Sequence, residues 1–119
     1  MLPHKPEEWP GLFERHLDAG DLEAVAALYD PDATFVPKSG ETIRGREAIR
    51  AVLSGLIDQK ARLHGKVVKE VVAGDTAVLY TDWHGTIAGD EQNSRAIEVL
   101  RRQPDGTWLL VVGDPNGRG

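Results

Sequence analysis

With 119 residues, 40% of them hydrophobic, the chain is long enough to bury one real core and too short for two domains. It contains no cysteine, which excludes disulfides, a thiolate nucleophile and a cysteine-based metal site. A net charge of −5 argues against general affinity for nucleic-acid phosphates; no run approaches membrane-spanning length and the first residues lack a signal-peptide core, so a cytoplasmic protein without nucleic-acid or membrane partners is expected.

Residues 9–19 read as a helix, because Trp9, Leu12, Phe13, His16 and Leu17 fall at i, i+3, i+4, i+7 and i+8. Pro10 is tolerable in a first turn. Gly20 closes this helix and Asp21 caps a second over 22–29, with Leu22, Val25, Ala26 and Tyr29 inward and Pro31 ending it. Short strands follow at 33–36 and 42–44, separated by Pro37 and the Lys38-Ser39-Gly40 turn. Gly45 opens the third helix, 46–58, whose stripe is Ile49, Val52, Leu53, Leu56 and Ile57.

Everything after that is strand: 62–73, 76–87, 93–102 and 107–114. Gly74-Asp75 and Ala88-Gly89-Asp90-Glu91 supply two turns. In the third, Pro104 presets φ and Gly106 takes the positive φ of a hairpin. The Asn116–Gly119 tail is expected to fray. The fold class is α+β, with one mostly antiparallel sheet curled around three N-terminal helices too short to cover a flat one.

Glu98 stands among apolar neighbours in Ile97-Glu98-Val99-Leu100. It lies either on a wet face, paired with an arginine such as Arg62 or Arg101, or in a pocket. In Leu79–His84, strand alternation sets Leu79, Thr81 and Trp83 on one face and Tyr80, Asp82 and His84 on the other. If the first set lines the interior, Asp82 and His84 are outside, and with His4 and His64 they make no metal-ligand set. Asp114, before Pro115, is read as accepting backbone hydrogen bonds where the chain leaves the sheet, with the pocket mouth as its alternative.

Four segments in order resemble the nuclear transport factor two-like superfamily, which includes ketosteroid isomerases and SnoaL-like polyketide cyclases. They are Leu17-Asp18-Ala19-Gly20-Asp21-Leu22, Leu28-Tyr29-Asp30-Pro31-Asp32-Ala33-Thr34-Phe35, Ile43-Arg44-Gly45-Arg46-Glu47-Ala48-Ile49, and Asp105-Gly106-Thr107-Trp108. The resemblance implies a cone-shaped sheet enclosing an apolar pocket, and a homodimer packed through the outer sheet face. Ketosteroid isomerases place a tyrosine in the first helix, a base aspartate after the first strand and an aspartic acid on a late strand. The matching positions here hold Phe13, Pro37 and Glu98, so isomerisation by that mechanism is not expected.

On that resemblance, Glu98 is the candidate acid or base, its charged form disfavoured in a dry pocket, and His16 the group that would share a proton with it. Trp9, Phe13, Phe35, Leu53, Ile57, Leu79, Thr81, Trp83 and Val111 are the candidate ligand-binding residues, with Trp9 and Trp83 suited to stack on a ligand and Trp108 to sheet packing. The expected function is binding of a small apolar molecule without cofactor or metal. The alternatives are an acid/base isomerase, cyclase or hydrolase using Glu98 with His16, and a non-catalytic dimerisation module.

Overall fold

A computed structural model describes residues Met1–Gly119. A 3-10 turn at Pro6–Glu8 leads into α1 (Trp9–Asp18) and α2 (Leu22–Ala26). Two short strands, β1 (Tyr29–Phe35) and β2 (Ile43–Arg44), precede α3 (Arg46–Asp58). Four strands complete the chain: β3 (Arg62–Ala73), β4 (Thr76–Ile87), β5 (Asp90–Arg102) and β6 (Trp108–Asp114). All six strands form one sheet in the order β2-β1-β6-β5-β4-β3, antiparallel except where β1 runs parallel to β6.

The helical stripes become the core. Trp9, Leu12, Phe13 and Leu17 of α1 and Ile49 and Leu53 of α3 are buried against Leu79, Leu100 and Leu110 of the sheet. Asp21 Oδ1 accepts the Ala24 N–H at 3.1 Å and so caps α2. That helix is shorter than the apolar spacing suggests, ending at Ala26. The Leu28 carbonyl accepts from Trp9 Nε1 at 2.9 Å and from the Leu110 N–H at 3.0 Å, which draws the chain into β1. Tyr29 is therefore a strand residue. Pro31 lies inside β1 rather than before it, within the register shift between Tyr29 and Thr34 where no ladder bond needs its nitrogen.

Two bulges bend the sheet. In β3 the pairing to β4 shifts between Val67 and Lys69; in β6 Val112 pairs with Val99 but Leu110 with Leu100, leaving Val111 as the extra residue. The turn before β5 is tighter than the four residues expected: Ala88 (φ 53°) and Gly89 (φ 82°) alone make it. The tail is not frayed. The Arg118 N–H donates to the Arg95 carbonyl and its Nε to the Ala96 carbonyl, both at 3.1 Å, while Nη2 donates to Asp82 Oδ1 at 2.7 Å. These bonds join positions distant in sequence, which a local pattern does not reveal.

Gly65 sits opposite Trp83, and a Cβ there would lie 2.8 Å from the indole ring. Gly65→Ala is expected to destabilise the protein by about 1–3 kcal/mol through overpacking and to shift tryptophan emission, read by urea unfolding followed by fluorescence. An unchanged midpoint would mean that Trp83 is not held against that backbone.

Candidate functional site

The concave sheet face and α3 enclose a cavity of about 230 Å³, lined by 18 residues of which 12 are hydrophobic. One wall is α3, through Ile49, Val52, Leu53 and Leu56. Opposite it, Gln92, Ser94 and Glu98 project from alternate positions of β5, and Leu110, Gly113 and Asp114 come from β6. Aromatic rings form the third side. Trp9 stacks on Phe13 at 5.3 Å, Trp9 meets Tyr29 edge-on at 5.5 Å, and Phe13 meets Trp83 edge-on at 5.4 Å.

Glu98 is 5% exposed. Leu79 pairs with it across β4 and Gly113 across β6, so the side chain that follows Leu79 on the same face, Thr81, lies diagonal to the carboxyl, with Trp83 next. Thr81 Oγ1 donates to Oε1 at 2.8 Å and Trp83 Nε1 donates to Oε2 at 2.9 Å. Burial pushes the Glu98 carboxyl up to about 7, against the downward pull of those two hydrogen bonds and of the Arg118 charge. No arginine pairs with it directly: Arg62 lies 3.9 Å from Asp18 and Arg118 bonds Asp82.

Tyr29 is equally buried at 5% and lines the cavity. Its hydroxyl has no partner in the protein, yet no fully enclosed polar side-chain atom lacks one, so the oxygen opens on the cavity. Burial, and then the Glu98 charge, push its pKa up, which keeps it a hydrogen-bond donor. Arg46 Nε donates to the Tyr29 carbonyl at 3.0 Å and fixes the residue from the α3 side.

Of the residues expected at the site, Glu98, Trp9, Phe13, Phe35, Leu53 and Trp83 line the cavity. Thr81 does not border it but holds Glu98. Leu79 is wholly buried core beneath it. Ile57 faces the α1–α2 corner, where a Cβ on Gly20 would lie 3.9 Å from its Cγ2. Val111 is carried out of the lining by the β6 bulge. His16 is also displaced. Its Nε2 lies 3.2 Å from the Met1 carbonyl, because the N-terminal segment crosses there and is tied down by the Trp108 N–H to Pro3 O bond at 2.9 Å. Glu98 and His16 therefore do not form a pair.

Asp114 borders the cavity mouth; its backbone carbonyl, rather than its carboxylate, accepts a hydrogen bond, from the Gly117 N–H. Asp82 and His84 take the outer face, with Asp82 on Arg118 and the His84 ring 5.2 Å from that of His64. Tyr29 was hidden by its placement in α2, whereas Gln92 and Ser94 share the strand parity of Glu98, a signal already present in the sequence.

A curved six-stranded sheet closed by N-terminal helices is the α+β architecture of the nuclear transport factor two-like superfamily. Residues 11–111 match the SnoaL-like domain, and the chain belongs to that family. Among solved structures it is similar to a candidate calcium/calmodulin-dependent protein kinase type II association domain from Thiobacillus denitrificans, with 23% identity over 97% of each chain and a TM-score of 0.78. It is also similar to a nuclear transport factor two-like protein of cystatin-like fold from Novosphingobium aromaticivorans, 24% identical over 91% of this chain and 76% of that one, TM-score 0.71. A candidate dehydratase of the same family from Streptomyces avermitilis is 18% identical over 89% and 88%, TM-score 0.71. No curated protein matches the sequence significantly. At these identities the likeness is one of fold.

The raised Glu98 pKa has a definite sign in stability. Below the unfolded carboxyl pKa the group is protonated in both states and imposes no penalty; as pH rises toward 7 the unfolded chain loses its proton first, and folding becomes less favourable. Between about pH 4 and pH 8 the parent is expected to lose on the order of 3 kcal/mol relative to Glu98→Gln, measured as the difference between their urea-unfolding free energies. Parallel profiles would mean that the carboxyl is solvated.

Proposed function

We propose that this chain binds a small, mostly apolar molecule in the cavity, with Glu98 as its polar anchor and the Tyr29 hydroxyl as a second. The observation that carries this reading is a buried carboxyl in an otherwise apolar enclosure, with the unpartnered Tyr29 hydroxyl opening on the same cavity. A cavity whose sole task was packing would not keep an open donor beside an ionisable acid. Family membership supports a domain that binds or processes small molecules.

Acid/base catalysis is the second reading, favoured by one observation: a carboxyl titrating at about 7 is suited to give or take a proton near neutrality. Glu98 would act with the Tyr29 hydroxyl stabilising developing negative charge on an oxygen, and His16 takes no part. The name given to the Streptomyces avermitilis relative is consistent with chemistry on this fold and says nothing of the substrate here.

A screen of apolar ketones, lactones, alcohols, acids and amines by thermal shift tests the binding reading. A ligand at 100 times its Kd adds about 2.7 kcal/mol, a rise of several degrees, and the rise should shrink in Glu98→Gln. If nothing binds and the variant melts like the parent, the cavity serves packing alone.

We also propose a homodimer through the outer sheet face. Val71, Val78, Val99 and Val112 pair in register across β3, β4, β5 and β6 as one apolar row, and Val71 remains 43% exposed. Sedimentation at micromolar concentration should give twice the chain mass for the parent and a single chain mass for Val99→Lys. A monomeric parent would remove the proposal.

A further inference from the structure

Among the residues lining the cavity, Glu98 and Asp114 are the two that carry charge, and both are acidic; no lysine, arginine or histidine opens on it. The nearest cation, Arg118, lies behind the sheet and is committed to Asp82 and the Ala96 carbonyl. Thr81 and Trp83 each donate to a different oxygen of Glu98, an arrangement that suits a carboxylate and leaves each oxygen a further lone pair. Around this group, Tyr29, Trp9, Phe13 and Trp83 form a continuous chain of ring contacts between 5.3 and 5.5 Å. A buried anion without a cation beside it, walled by aromatic rings, is the environment that a desolvated ammonium ion complements through a charge-assisted hydrogen bond and cation–π attraction.

We propose that the cavity's ligand is a lipophilic amine, bound as its ammonium ion, with an N–H donating to Glu98 and its apolar body between the aromatic rings and α3. This rests on the small-molecule reading above and narrows it to one chemical class. An organic acid would meet two carboxylates and no base. A neutral ketone would need Glu98 to carry a proton, and it would leave the acidic lining uncompensated. An ammonium ion needs only an ionised Glu98 and itself compensates the acidic lining.

The test compares molecules of one shape: 2-phenylethylamine, 2-phenylethanol and phenylacetate, titrated calorimetrically into the parent and Glu98→Gln at about pH 8. The amine is expected to bind at least tenfold more tightly than the alcohol, and the acid more weakly than both. Glu98→Gln should weaken the amine at least tenfold more than the alcohol and so erase the amine's advantage. Amine affinity should also rise with pH as Glu98 ionises. The other groups facing it are Tyr29 on β1, Asp114 at the end of β6 and Arg118 from the tail, and Asp114→Asn separates the second carboxylate's share.

The ligand trio on the parent decides the question even if Glu98→Gln fails to fold. Alcohol binding equal to or tighter than the amine's would overturn the ammonium inference and leave the small-molecule reading standing. If this trio is silent, tryptamine, cyclohexylamine and their alcohols follow. Neutral binders without an amine among them would overturn the inference, and silence from all would overturn both readings.

Discussion

An ionisable carboxyl removed from water is costly unless its oxygens find donors, and the local design of the sheet follows from satisfying Glu98. Thr81 and Trp83 reach it only because Leu79 pairs with Glu98, which places the next two same-face side chains of β4 along its flank. A slip of one residue would turn Thr81 and Trp83 outward and strand the carboxyl. The Trp83 indole in turn needs the backbone of Gly65 beneath it, and the β6 bulge brings side-chain-free Gly113 beside Glu98. Three strand pairings are thus tied to one side chain.

Much of the fold was legible because its signals are local. The α3 stripe fixed 46–58, and valine-rich runs broken by Gly74-Asp75 fixed 62–73 and 76–87, all of which the structure reproduces. Strand parity separated Trp83 from Asp82 and His84, and the Glu98 pairing in the structure decides which set faces inward. What escaped depends on contacts between distant segments. Leu28 leaves the helix because Trp9 and β6 both donate to its carbonyl, and Tyr29 moves with it. His16 holds the right helical phase, yet the N-terminal segment occupies the space it would have faced. Val111 was misplaced because strict alternation does not survive a bulge.

The two sheet faces are not electrically independent. Arg118 bonds Asp82 on the outer face, with its guanidinium 5.8 Å from the Tyr80 ring, and it still lowers the Glu98 pKa across the sheet. Through a layer one backbone thick and poor in water, a charge is weakly screened. The tail that pattern reading took as frayed therefore contributes to the character of the candidate site. A partner packed on that face would exclude water from Arg118 and strengthen its effect.

Family membership fixes the enclosure but not its chemistry, and Phe13 shows why. Its ring stacks on Trp9 and meets Trp83 edge-on, so it builds the wall through volume alone and brings no polar atom to the cavity. A hydroxyl on such a ring would add a donor to the cavity with little change in volume, a difference that packing energy barely resists. The cavity's free hydroxyl comes instead from Tyr29 on β1. Because a wall is set by volume and reactivity by single atoms, a shared fold does not by itself decide what the pocket holds.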